Sequence, residues 1–307
     1  MRASPLHLAM AGVAGMGILA VNALTQQQTQ PSEPIRIEKV KDGLFFIRGP
    51  ATMGTDGLLH EPGDVAVRIT PEGLILVDDK FQQHVPEILE KIRSVTPLPI
   101  KYLLNTHHHA DHAGGDAILN NGMFPVIAHR NVRENMIRNK QAGPPNIVFN
   151  DQTAVFLGGV EVQARYLGRG HTNGDSVIYF PDLRVVHTGD LVIDGMPFID
   201  YDNGGSAIEW VKTIDKILEI DFDVAIPGHG RLLTKNDVRE NKMAFEKMNA
   251  RMAQLVKTKV PKAQATEQLK AYLKDIGWDK TVSTETFLTR SLNAYYDEMA
   301  AAASNRN

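Results

Sequence analysis

The sequence predicts an α/β protein built as a four-layer αββα sandwich, two β-sheets packed face to face with helices on both outer faces. Three observations carry that prediction. Short apolar runs bounded by turn residues recur from residue 35 to residue 226, and a helical pattern closes each of two successive groups of them. Apolar residues make up 43% of the 307 positions against 22% charged, which is enough for a substantial core. Strands followed by a helix, twice over, give two sheets that bury their apolar faces against one another.

The first element is set apart from the rest. Arg2 precedes a stretch over 6–21 made almost entirely of Leu, Ala, Met, Gly, Val and Ile, and Val21-Asn22-Ala23 supplies the small residues a signal peptidase reads. Residues 1–23 therefore read as an export signal. A spanning helix usually takes about 20 apolar residues, and Gly12, Gly15 and Gly17 would weaken a buried first helix. Residues 24–34, with Gln26-Gln27-Gln28-Thr29-Gln30-Pro31, form a flexible linker, and 35–307 the folded domain with its C-terminal helices. A periplasmic or secreted protein is expected, with no membrane partner after signal cleavage. The chain has no cysteine, so the mature protein stands on its core without disulfides.

Strands at 35–40, 44–48, 65–69 and 74–77 open an antiparallel sheet. Between the second and third, the Gly-rich interval 49–63 is long for a hairpin and carries Met53, Leu58 and Leu59 at its tip, as a loop that covers apolar substrate groups would. A helix over 84–94 places Val85, Ile88, Leu89 and Ile92 on one face. Then come a strand at 100–104, a short helix from His112, a strand at 125–128 and a helix over 131–140 that Gly143-Pro144-Pro145 terminates. The second group has strands at 154–157, 160–166, 176–180 and 184–187, a helix over 206–219 and a strand at 224–226. The tail over 236–303 is helical by pattern. Its first helix, 235–256, carries Met243, Phe245, Met248 and Met252 as a buried core face.

The strand at 100–104 delivers the most informative segment, Thr106-His107-His108-His109-Ala110-Asp111-His112-Ala113-Gly114-Gly115. Imidazoles and a carboxylate one or two residues apart converge on one ion only where the backbone turns sharply, which Gly114-Gly115 would permit. His171, Asp190 and His229 each follow or precede a predicted strand beside glycine. With thiolate absent, this all-nitrogen and oxygen donor set suits zinc, iron or manganese, and the chemistry to expect is metal-assisted hydrolysis. His60, His84, His129 and His187 have no ligand partner at short spacing and read as surface or packing residues, with His60 within reach of substrate. Ser176 and Ser206 lack the G-x-S-x-G setting of a serine hydrolase. Gly54, Gly57 and Gly63 form no phosphate-binding fingerprint. A net charge of -3 gives no attraction for nucleic acid or an anionic membrane surface, so a small neutral or weakly charged substrate is expected. No pattern specifies an oligomeric state.

In order and spacing, these residues resemble the metallo-β-lactamase superfamily, whose pattern is H-x-H-x-D-H, a single histidine, an aspartate or cysteine, and a final histidine. The resemblance covers residues 35–230. It implies the metallo-β-lactamase fold, with His107, His109 and His171 holding a first metal, Asp111, His112 and His229 a second, and Asp190 bridging two zinc ions. In such a site a bridging hydroxide attacks a carbonyl carbon, and Asp111 both ligates and orients it. Asp78 or Asp79 would hydrogen-bond a ligand imidazole, while His108 would face the opposite way. Zinc β-lactamases usually carry cysteine or serine at the Asp190 position and a lysine shortly after it, whereas Leu191-Val192-Ile193-Asp194 offers no cation here. Lactone and thioester hydrolases of the fold carry the aspartate, and Arg231, Lys235 and Arg239 would lie near the site. The expectation is an exported dinuclear hydrolase of a small molecule with a hydrolysable carbonyl. β-Lactam hydrolysis is its most concrete form, and lactone or thioester hydrolysis is the second. A di-iron redox protein would need a flavin domain, for which no pattern exists, and a non-catalytic metal-binding module would not need the complete ligand set.

Overall fold

Alternation of side chains along the strands sets the layers. The computed structural model describes residues 33–53, 59–119, 122–196, 198–278 and 284–305. The expected signal, the linker up to 32 and Leu58 lie outside these residues. The first sheet has seven strands in the order β1 (Arg36–Lys41), β2 (Leu44–Arg48), β5 (Val65–Thr70), β6 (Gly73–Val77), β7 (Ile100–Leu104), β8 (Val126–His129) and β9 (Ile147–Phe149). It is antiparallel as far as β6 and parallel from β6 to β9. A two-stranded ribbon, β3 (Thr52–Met53) with β4 (Leu59–His60), occupies the Gly-rich interval. The second sheet has six strands in chain order, β10 (Gln152–Leu157), β11 (Val160–Arg165), β12 (Val177–Phe180), β13 (Val185–His187), β14 (Val224–Ile226) and β15 (Leu233–Thr234). Only β13 and β14 pair in parallel there.

Inward-facing Phe46, Ala66, Ile75, Val77 and Leu104 meet Val162, Ala164, Ile178, Phe180 and Ile226 of the other sheet. One residue along the strands, Ile47, Val65, Val67, Leu74, Leu76 and Leu103 face outward and bury Val85, Ile88 and Ile92 of helix α1 (Val85–Val95). Short helices α2 (Ala110–Ala113) and α3 (Asp116–Leu119) and the longer α4 (Arg130–Arg138) complete this side. On the far face of the second sheet, Val177, Tyr179, Val186 and Ala225 pack against α5 (Ala207–Glu219) and α6 (Lys235–Lys257) through Trp210, Ile214, Phe245 and Met248. α7 (Lys262–Asp275), α8 (Thr284–Thr286), a π-helical stretch at Phe287–Ser291 and α9 (Leu292–Ser304) follow. Leu269, Leu273, Tyr295 and Met299 join the same core cluster as the second sheet. The four layers are thus helix, sheet, sheet, helix.

Three features depart from the pattern read in the sequence. Strands β9 and β15 and the β3–β4 ribbon are two or three residues each, too short for alternation to register. Met243 does not share the buried face of α6: it is 49% exposed, while Val238, Phe245, Met248, Met252 and Leu255 are buried. Gly114 and Gly115 do not turn through left-handed backbone. A Cβ on Gly115 would stand 2.6 Å from Val85 and 2.8 Å from Asp79, so these glycines admit close packing under the histidine cluster. Among the described residues no helix is long and apolar enough to cross a membrane.

Candidate metal centre

Strands β6 and β7 of one sheet and β13 and β14 of the other end at a common edge, and the chain leaves β6, β7 and β13 there with a polar residue, Asp78, Asn105 and Thr188. After β7 the backbone continues through Asn105, whose N–H donates to Ile127 at 3.0 Å, then breaks away at Thr106. His107 to His109 are extended or bent, and Asp111 and His112 sit in the single turn of α2. Asp190 lies in a 3-10 turn after β13, and His229 follows β14 by way of Pro227-Gly228. Close approach explains the glycine beside it: a Cβ on Gly228 would stand 2.0 Å from Asp190 Oδ1. Gly63 similarly lies against the His112 ring, 2.3 Å from where its Cβ would be.

All seven expected residues come together in two sets. His107 Nε2 and His171 Nε2 stand 3.2 and 2.8 Å from His109 Nδ1. Asp190 Oδ2 closes this set at 3.4 Å from His171 Nε2 and 3.9 Å from His107 Nε2. The other oxygen of the same carboxylate, Oδ1, is 3.1 Å from His112 Nε2 and 3.3 Å from His229 Nε2. Asp111 Oδ2 completes the second set at 3.4 Å from His229 Nε2 and 3.8 Å from His112 Nε2. Donors arranged tetrahedrally at ~2.0–2.1 Å from zinc stand about 3.3 Å from one another. The spacing and chemistry of both sets therefore fit a metal ion, and each group can hold one.

The remote nitrogen of every ligand imidazole is occupied. Asp78 Oδ2 accepts from His112 Nδ1 at 2.8 Å and from Thr106 Oγ1 at 2.7 Å, and Thr106 Oγ1 in turn lies 3.1 Å from His107 Nδ1. Asp200 Oδ2 lies 2.8 Å from His109 Nε2. Two main-chain carbonyls serve the others, Phe198 O for His171 Nδ1 at 2.6 Å and Glu61 O for His229 Nδ1 at 2.9 Å. Acceptors at the remote nitrogen keep its proton there and leave the inward lone pair for a cation. Of the two aspartates expected to do this, Asp78 does and Asp79 does not; Asp79 accepts from Gly115 N instead.

The charge pattern divides the two sets. Burial pushes the His107 imidazole well below its ordinary range and His171 down to about 4. Burial opposes protonation of His112 and His229 too, but the Asp190 and Asp111 carboxylates outweigh it, holding His112 well above its usual value and His229 at about 9. Asp190 is itself held low against burial by the surrounding imidazoles. Just beyond His171, burial raises the Asp175 carboxyl to about 7 despite hydrogen bonds from Thr172 N and Thr172 Oγ1. Its folded value exceeds the unfolded one of ~3.9, so the stability it contributes is full below about pH 4 and is lost as pH rises toward 7. Asp175→Asn, which cannot ionise, is expected to gain on the wild type by roughly one kcal/mol per pH unit across that window. Urea unfolding of the metal-depleted proteins at pH 5 and pH 7 checks it.

Other residues fall as follows. His108 is buried with neither ring nitrogen hydrogen-bonded, its Nε2 3.9 Å from Asp200, and it belongs to neither ligand set. His129 caps α4 through Asn131 N and stacks on Tyr166, and His187 Nε2 reaches Asp64 O at 3.0 Å, both packing roles. His60 and His84 line the cleft over the metal ligands. Arg231 and Lys235 do not approach it: Arg231 pairs with Asp237 at 2.9 Å, and Lys235 donates to Ile220 O at 2.6 Å. Asp200, Phe198 and Glu61 escape a reading of the sequence because no fixed spacing ties them to the histidines they orient.

A donor set of this kind on an αββα sandwich defines a metal-dependent hydrolase. Residues 65–229 match the profile of the Metallo-beta-lactamase superfamily (Lactamase_B), and the chain belongs to that superfamily. Metallo-beta-lactamase IND-1 of Chryseobacterium indologenes is 28% identical over 209 residues, 64% of this chain and 86% of that protein. The alpha subunit of 2,4-dinitroanisole O-demethylase from Nocardioides sp. (strain JS1661) is 25% identical over 234 residues, 74% of this chain and 65% of that one. A metallo-beta-lactamase from Pontibacter korlensis shares the fold with TM-score 0.63 at 20% identity, over 69% of this chain and 99% of that structure.

Proposed function

We propose that this protein is an exported hydrolase that uses two zinc ions to cleave a small molecule at a carbonyl, with a β-lactam as its most concrete substrate. The observation that carries the reading is Asp190, whose two oxygens address two separate donor sets. His107, His109 and His171 would hold one ion, Asp111, His112 and His229 the other, and Asp190 both. Cations bound there supply Lewis acidity to a carbonyl oxygen and lower the pKa of water toward ~7.

The chain's own part is positioning. Asp111 lines the cleft beside both sets, so its carboxylate orients an attacking water and takes its proton. Phe198, stacked on His109 with ring centroids 6.0 Å apart, walls one side of the cleft beside the ligands. Glu61 also lines the cleft but is held by Arg48 at 3.0 Å, which leaves Asp111 to handle the proton. Asp111→Asn is expected to retain both ions while turnover falls about 10²-fold or more. Elemental analysis beside a rate assay tests this, and a variant with two ions and full turnover would refute the role.

The decisive experiment loads the chelator-treated protein with zinc and measures hydrolysis of a penicillin, a carbapenem, an acyl lactone and a glutathione thioester. Turnover of one class, lost with chelator and restored by zinc, is expected. Lactone or thioester hydrolysis is the second reading, favoured by an aspartate at position 190 where zinc β-lactamases usually carry cysteine or serine. Export follows from the apolar 6–21 stretch and the small residues before Gln26, with 24–34 as linker and 35–307 as the mature domain. Fractionation of expressing cells, with the mass of the released protein, tests cleavage after Ala23.

A further inference from the structure

The cleft over the metal ligands measures about 670 Å³, and Arg290 is the only lysine or arginine among the described residues lining it. Arg290 comes from the π-helical stretch Phe287–Ser291, far outside the residues that match the family profile. Wide turns of this kind recur at functional sites. Here the stretch buries Phe287 and Ser291 and turns Arg290 outward. Ser291 Oγ donates to Ile199 O at 2.8 Å and accepts from Ile199 N at 3.1 Å, which pins the stretch to the loop carrying Phe198 and Asp200. The Arg290 guanidinium lies 4.5 Å from the centre of the Phe198 ring, which also meets the ligand imidazoles of His109 and His171.

No carboxylate among the described residues pairs with Arg290. The acids that share its cleft are already engaged: Glu61 by Arg48, Asp111 and Asp190 by the ligand histidines. A guanidinium held over an aromatic ring still has donors free to fork a carboxylate. Just after the residue at 190 this chain offers no free cation: Leu191, Val192 and Ile193 are buried, and Asp194 pairs with Arg231. We propose that Arg290 binds a carboxylate of the substrate. The substrate class is then an anionic acyl compound whose carboxylate stands apart from the carbonyl that is cleaved. This rests on the hydrolase reading for the carbonyl and is independent of it for the anion.

The test compares wild type, Arg290→Ala and Arg290→Lys, all zinc-loaded, on benzylpenicillin and its methyl ester. It also measures calorimetric binding of the hydrolysed penicillin and its monomethyl ester, which needs no turnover. Arg290 is exposed, so the substitutions leave the core intact. Wild type is expected to bind the acid more tightly than the ester, and Arg290→Ala to lose about 10- to 100-fold in affinity and in kcat/KM for the acid, mostly through KM. The ester and the zinc content should be unaffected, and Arg290→Lys should fall between. Equal binding of acid and ester by wild type, binding of neither, or an equal loss for both in Arg290→Ala would overturn the assignment. If the binding preference is present and follows Arg290 while no carbonyl class is hydrolysed, the hydrolase reading fails and the anion site stands.

Discussion

Asp78→Ala is expected to lower the unfolding free energy by about 3 kcal/mol or more and to weaken zinc binding about 10- to 100-fold. Asp78 is wholly buried, and its two oxygens accept from Thr106 N at 2.7 Å, Thr106 Oγ1 at 2.7 Å and His112 Nδ1 at 2.8 Å. Alanine leaves three buried donors with no acceptor, and each carries a desolvation cost. The damage reaches both donor sets, since His112 belongs to one and Thr106 meets His107 of the other. Asp78 also holds left-handed backbone, φ 59°, at the end of β6, a conformation aspartate tolerates better than alanine. Urea unfolding with and without zinc separates the two losses. Unchanged midpoint and affinity would show that the histidines hold their orientation unaided.

Asp190→Ala is expected to have the largest effect on activity, more than about 10³-fold, because one substitution removes a carboxylate whose two oxygens lie against both sets. Metal content should fall from two ions to one at most. A second readout needs no metal: Asp190 is the strongest neighbour raising His112 and His229, so in the chelated variant both should titrate lower. Imidazole proton resonances followed by NMR from pH 5 to 10 check this. A variant that keeps two ions would remove the bridge from the proposed centre.

The ligands were legible because their chemistry is local. His107 to His112 bring four ligands into six positions, and His171, Asp190 and His229 each stand beside a glycine between strands. The layers were legible because strands of five or six residues and α1 show clean periods. What escaped has no period. β15 is two residues long and exists because β14 supplies an edge, and Asp200 matters only because the fold returns it to His109, 91 positions earlier. The tail shows a helical pattern throughout, yet nothing in it announces that Phe287–Ser291 widens to a π turn and aims Arg290 at the cleft.

Two of the five acceptors that orient ligand rings, at positions 61 and 198, are peptide oxygens, which every amino acid possesses. Evolution can therefore rewrite both side chains without disturbing His229 or His171, whereas Asp78 and Asp200 have no such latitude. The rim of the centre is free to explore new substrates while its foundations stay fixed.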